Sequence, residues 1–152
     1  MRVFLAGIMQ GSHLGAVLHN QEYRHRLREL VERYLPGADV FDPLAEHRNS
    51  LEYDERQGRA VFFHHAELAA ECEVMVAVVP EATMGTAVEM WQAYQAGRAV
   101  LVISPLAHNW VVRFLSHAVY DDLEEFERAL ADGRVARRLA EVLGPGCLPE
   151  WP

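Results

Sequence analysis

The 152 residues predict an α/β protein built on an open parallel sheet of about five strands with helices on both faces. Short apolar, β-branched runs alternate with helical patterns, which is the order of successive βαβ units. Four of the five helical patterns end on glycine or proline, which cuts the segments to crossover length. With 51% hydrophobic and 24% charged residues, the chain has an ordinary globular composition and enough length to bury a core.

The elements follow in order. Residues 3–6 (Val-Phe-Leu-Ala) read as the first strand, too short for a signal h-region. Leu27, Leu30, Val31 and Tyr34 recur at i, i+3, i+4 and i+7 among Arg and Glu, an amphipathic helix closed by Pro36-Gly37. Residues 38–41 make a second strand, and 59–71 a second helix. The run at 74–79 is the third strand, the helix at 87–96 ends at Gly97, and 99–103 is the fourth strand. Asp121-Asp122 open a helix carrying Leu123, Phe126 and Leu130, with negative charge at its positive end. Val135, Leu139 and Val142 mark one more helix before an irregular tail. Right-handed crossovers between such strands give a sheet covered on both faces. The expectation is one domain over residues 1–152.

Net charge of −8 argues against nucleic acid or an anionic membrane as partner, since both reward a basic surface. No apolar run approaches the ~20 residues of a membrane span. Cys72 and Cys147 stand far apart without CxxC context, so a reducing cytoplasm is the expected location. His64 and His65 are adjacent and diverge by about 100° on a helix. The other six histidines show no ligand spacing, so no metal is expected.

Candidate chemistry gathers where strands end. Gly7-Ile8-Met9-Gln10-Gly11-Ser12 follows the first strand, and its glycines let backbone amides approach a ligand. It is not GxGxxG, and it could be a tight turn alone. After the third strand comes Met84-Gly85-Thr86-Ala87-Val88-Glu89-Met90. Thr86 with Glu89 fits a capping box. The same spacing also holds an ionised carboxylate at the sheet's C-terminal edge, where open α/β folds bind ligands. Aimed into a cleft, that carboxylate is a competent nucleophile. His64 or His65 could serve as acid or base. Asn109 and Trp110, after the fourth strand, could form a base-stacking wall or a plain turn. Trp91 and Tyr94 suit the core or a subunit interface. The patternless segment 42–58 is of a length that is usually functional or mobile, and Glu46, Tyr53 or Asp54 within it could supply an acid or a sugar contact.

Phe4-Leu5-Ala6-Gly7 with its polar loop, the strand over 73–79, and Gly85-Thr86-Ala87-Val88-Glu89-Met90 followed by Ala93, Gly97 and Val100 together resemble the nucleoside 2-deoxyribosyltransferase superfamily. That superfamily includes the 2′-deoxynucleoside 5′-phosphate N-hydrolases. The resemblance implies a flavodoxin-like sheet, no cofactor or metal, a nucleoside or nucleotide substrate, and a homo-oligomer with shared active sites. It implies that Glu89 attacks C1′ in a retaining double displacement, with Gly7, Met9, Gln10, Gly11 and Ser12 near the sugar or its 5′ end; Gly85 within the motif, and Asn109 by its strand-end position, are the further expected substrate contacts. The family's aspartate eight residues before Glu73 is here His65, which could still protonate the departing base. Thr83 stands where base-exchanging transferases carry an aspartate, and a hydroxyl there tolerates a 5′-phosphate. Transfer and hydrolysis both remain open. Phosphoribohydrolases with a Gly-Gly-x-Gly-Thr-x-x-Glu motif share Gly85-Thr86 and Glu89 but not the paired glycines. A nucleotide-binding module without catalysis is the non-enzymatic alternative.

Overall fold

Register, more than strand length, positions the site. In the computed structural model, which describes residues 1–9, 18, 20–47 and 49–144, five strands form one all-parallel sheet. They are β1 (Arg2–Gly7), β2 (Asp39–Phe41), β3 (Val74–Val78), β4 (Ala99–Ile103) and β5 (Ala118–Tyr120), in the order β2-β1-β3-β4-β5. This is the flavodoxin-like order, whose switch point lies between β1 and β3. Connections leaving these two strands run in opposite directions along the sheet and open a crevice beyond their C-terminal ends. Gly7 and Val78 are register partners at that point, and the Ile8 amide donates to the Val78 carbonyl at 3.2 Å.

Around the sheet lie α1 (Tyr23–Tyr34), α2 (Pro43–Glu46), α3 (Glu55–Glu71), α4 (Met84–Gln95), α5 (Trp110–Phe114), α6 (Leu123–Ala131) and α7 (Arg134–Leu143). Side chains alternate across a strand, so each strand feeds two cores. Val3, Leu5, Val74, Val76, Leu101 and Ile103 pack with Leu27, Val31, Phe126 and Leu139 of α1, α6 and α7. Phe4, Ala6, Met75, Ala77, Val100 and Val102 pack with Ala69, Met90, Ala93 and Val112 of α3, α4 and α5. Each fully buried large side chain here contributes roughly 1.5–3 kcal/mol of hydrophobic stabilisation.

Four of the five strands stand where the apolar runs predict them, within a residue at either end. β5 has only three residues and carries no periodic signal of its own. The expected helix over 59–71 starts four residues earlier, because Asp54 and Gln57 form a capping box at its N-terminus. Segment 42–58 is not patternless: Asp42 caps α2, and a 3₁₀ turn spans Ser50–Glu52. Trp91 and Trp110 lie on the surface, 52% and 77% exposed, which removes the core from the two roles expected of Trp91. No helix among the described residues is long and apolar enough to cross a membrane.

Candidate active site

α4 begins at Met84, with Thr83 in extended conformation (φ −138°, ψ 124°) at its N-cap. The capping box expected from Thr86 and Glu89 is therefore not formed. Thr83 has taken the cap position three residues earlier, which puts Glu89 in the second turn. A carboxylate there lies beyond the turn where the helix dipole acts most strongly. Glu89 is half-buried, and loss of hydration pushes its pKa up to about 7, opposed by the nearby Arg24 guanidinium. The expectation of a carboxylate kept ionised by the helix end is thus corrected: near neutral pH this group exists in both protonation states.

Glu89 lines a cavity of about 420 Å³ at the β1/β3 switch point. Its walls bring together Gly7 and Met9 after β1, His47, Ser50 and Tyr53 before α3, Phe62 and His65 on α3, and Thr83, Gly85 and Thr86 at the start of α4. Of the residues singled out by sequence, Glu89, His65, Gly7, Met9, Thr83 and Gly85 meet here. Gln10, Gly11 and Ser12 lie outside the described residues.

Asn109 is not part of this cavity. Its side-chain oxygen accepts from the Val111 and Val112 amides and caps α5. It lines a second, apolar cavity of about 430 Å³ between α4 and α5, which shares only Thr83 and Met84 with the first. Glu46 is exposed and lines neither cavity, and Asp54 is committed to capping α3. Tyr53 alone of that trio faces the Glu89 cavity.

His65 is 8% exposed, and its Nε2 has no hydrogen-bond partner among the described residues. Burial, with the charges of His47, His64 and Arg24 adding to it, lowers its pKa to about 4. It is a neutral imidazole at physiological pH, suited to hydrogen bonding rather than to delivering a proton. The adjacent His64 is exposed, in keeping with the divergence expected of neighbours on a helix.

Two residues that no sequence pattern marked hold the site together. Arg24, 4% exposed, donates to the carbonyls of Leu5 (3.0 Å) and Gly7 (3.2 Å), to Gln21 Oε1 (2.7 Å) and to Asp42 Oδ1 (2.8 Å). It thus ties the end of β1 to the start of α2, where Asp42 also accepts from the Leu44 amide. Beside it, the Tyr23 hydroxyl is buried without a partner among the described residues. Its pKa is raised by burial first, with Asp42 and Glu89 adding to the effect against Arg24. Gly7 makes room for that phenol: a Cβ on Gly7 would lie 2.3 Å from the hydroxyl oxygen and 3.2 Å from the Val78 carbonyl. Both residues sit on α1 among surface arginines, so only the long-range contact to β1 reveals them.

Among the described residues no cluster of His, Cys, Asp and Glu has metal-binding geometry. The class of protein defined at this point is an open, all-parallel α/β protein with a carboxylate-bearing cavity at its switch point. Solved structures share this fold. A 2-deoxyribosyltransferase from Bacillus psychrosaccharolyticus superposes with a TM-score of 0.62 at 19% identity, over 84% of this chain and 90% of that one. A conserved protein from Enterococcus faecalis V583 gives 0.60 at 14% identity, over 86% and 97% of the two chains. A CMP N-glycosidase of Clostridium botulinum gives 0.52 at 19%, over 86% and 98%. No family model matches the chain. One curated relative, the GTPase Obg of Gloeobacter violaceus, is 31% identical over 108 residues, 69% of this chain but only 30% of its own length. The present chain contains no lysine, so it cannot form the P-loop that places a lysine on nucleotide phosphates.

Proposed function

We propose that the protein is an enzyme that cleaves or transfers at the N-glycosidic bond of a nucleoside or deoxynucleoside, with Glu89 as the nucleophile of a retaining mechanism. The observation that carries this reading is a half-buried carboxylate in the switch-point cavity of a fold shared with a 2-deoxyribosyltransferase and a CMP N-glycosidase. In its ionised form Glu89 attacks C1′ through an oxocarbenium-like transition state and expels the base. Water or an acceptor base then attacks C1′ and frees the carboxylate. Gly7, Met9, Thr83 and Gly85 form the sugar-side walls in this reading.

A second reading, hydrolysis of a nucleoside 5′-monophosphate, is favoured by Thr83. Its hydroxyl makes no capping bond, reaches only the Thr86 hydroxyl at 3.5 Å, and stands at the N-terminal end of α4, where a phosphate oxygen could replace that long contact. Exposed Phe62, Phe63, Trp91, Trp110 and Phe114 on α3, α4 and α5 support a homo-oligomer.

The test is base release from a panel of ribo- and deoxyribonucleosides and their 5′-monophosphates, with and without an acceptor base. Release by the wild type and none by Glu89→Gln is the expected result. Release that needs an acceptor indicates a transferase, and release only from monophosphates indicates a nucleotide hydrolase. Unchanged nucleotide bound tightly, with no base released, would overturn the enzymatic reading in favour of a binding module.

A further inference from the structure

A base leaving C1′ carries away the electron pair of the broken bond, so the site needs a proton donor. Glu89 cannot act as donor and nucleophile in the same step, and His65 is neutral. Among the described residues, the other groups on the cavity wall acidic enough to serve are His47 and Tyr53, the Ser50, Thr83 and Thr86 hydroxyls being far weaker acids. His47 Nδ1 lies 2.8 Å from the Tyr53 hydroxyl, with the two rings edge to face at 5.8 Å and 87°. The His65 ring packs on the other imidazole at 5.0 Å and 61°. Two neighbours therefore fix the plane of His47, and its Nε2 has no protein partner among the described residues. Tyr53 is itself held between the 3₁₀ turn at Ser50–Glu52 and the Asp54 cap of α3.

We propose that His47, oriented by Tyr53, is the general acid that protonates the departing base. The proposal rests on the reading of Glu89 as nucleophile. As a Glu89 oxygen bonds to C1′, the C1′–N bond breaks and its electron pair passes to the base. The base takes the proton from His47 Nε2, leaving a neutral imidazole and a glycosyl ester. In the second half, that imidazole removes a proton from the attacking water or acceptor base, and the ester electrons return to Glu89. Tyr53 acts as a positioning residue by holding Nδ1 of the ring. His65, with its unpartnered Nε2, offers the base a neutral hydrogen-bonding group beside the donor.

The test compares leaving groups. His47→Gln, Tyr53→Phe and Glu89→Gln are assayed on ordinary nucleosides and on ones whose bases depart without protonation, an N7-methylated purine and a 5-nitrouracil nucleoside. His47→Gln should lose about 10²–10⁴-fold in kcat/KM on ordinary substrates, yet less than about tenfold on the activated ones. Tyr53→Phe should show the same pattern more weakly, a selectivity that loss of packing alone would not produce. Glu89→Gln should be inactive on both. Equal losses on both substrate types, or none on ordinary ones, would overturn the role of His47 while leaving Glu89 standing. Undiminished Glu89→Gln activity would overturn the nucleophile and the proposal with it. Should His47→Gln fail to fold, Tyr53→Phe reads the same selectivity.

Discussion

Glu89 should cost the protein stability, and the cost should be removable. Its pKa rises from the ordinary 4.5 to about 7 in the folded chain because burial disfavours the charged form. The folded state therefore holds the proton more tightly than the unfolded chain does. Between pH 4.5 and 7 the folded state binds more protons, so stability falls as pH rises and the full penalty applies above 7. At 1.36 kcal/mol per unit, that penalty is about 3 kcal/mol, an upper bound because the cavity admits solvent. Glutamine keeps the shape and carries no charge. In a chain of this size, 1 kcal/mol moves Tm by about 2–4 °C. Glu89→Gln should thus melt roughly 3–10 °C above the wild type at pH 8, with the gap closing by pH 4.5. Calorimetric melts of both proteins at the two pH values measure it. No gain at pH 8, or the same gain at both, would refute the desolvation argument even if catalysis were lost.

Three other outcomes follow from the same geometry. If ionised Glu89 attacks C1′, kcat/KM should climb about tenfold per pH unit on the acid side of about 7, and a flat profile from pH 5 to 6.5 would contradict this. Arg24→Met removes the charge that opposes the rise, so the ascending limb should move to higher pH. It should also cost about 3–5 kcal/mol in urea unfolding by stranding Asp42. Gly7→Ala should cost about 1–3 kcal/mol through the clash with Tyr23, and Tyr23→Phe should return part of it by removing an unpartnered hydroxyl. Strictly additive losses in the double variant would contradict the contact.

What could be read from sequence divides along physical lines. Apolar runs buried on both faces announce β1, β3 and β4, because the strand periodicity is overwhelmed by uniform burial. β5 escaped notice since three residues, two of them only partly buried, carry too little hydrophobic signal. The start of α4 was misplaced because Thr83 and Thr86 are both plausible caps, and only backbone conformation chooses between them. Glu89, Gly7, Met9, Thr83, Gly85 and His65 were legible as strand-end or motif residues. His47, Tyr23 and Arg24 were not, since their meaning comes from neighbours distant in the chain. Asn109 looked like a ligand contact because a helix cap and a binding amide use the same side chain.

The pairing of Gly7 with Val78 also bears on how the protein acquires its activity. The two halves of the cavity floor come from strands some seventy positions apart, and β2 with three helices must be looped out before they meet. Contacts this non-local form slowly, since chain entropy is lost before any pairing energy returns. A nascent chain released before β3 would own the glycine loop but nothing to set it against. The Ile8 amide, bonded to the Val78 carbonyl at 3.2 Å, closes that gap. Its protection from hydrogen exchange during refolding would time the birth of the site, ahead of any assay of turnover.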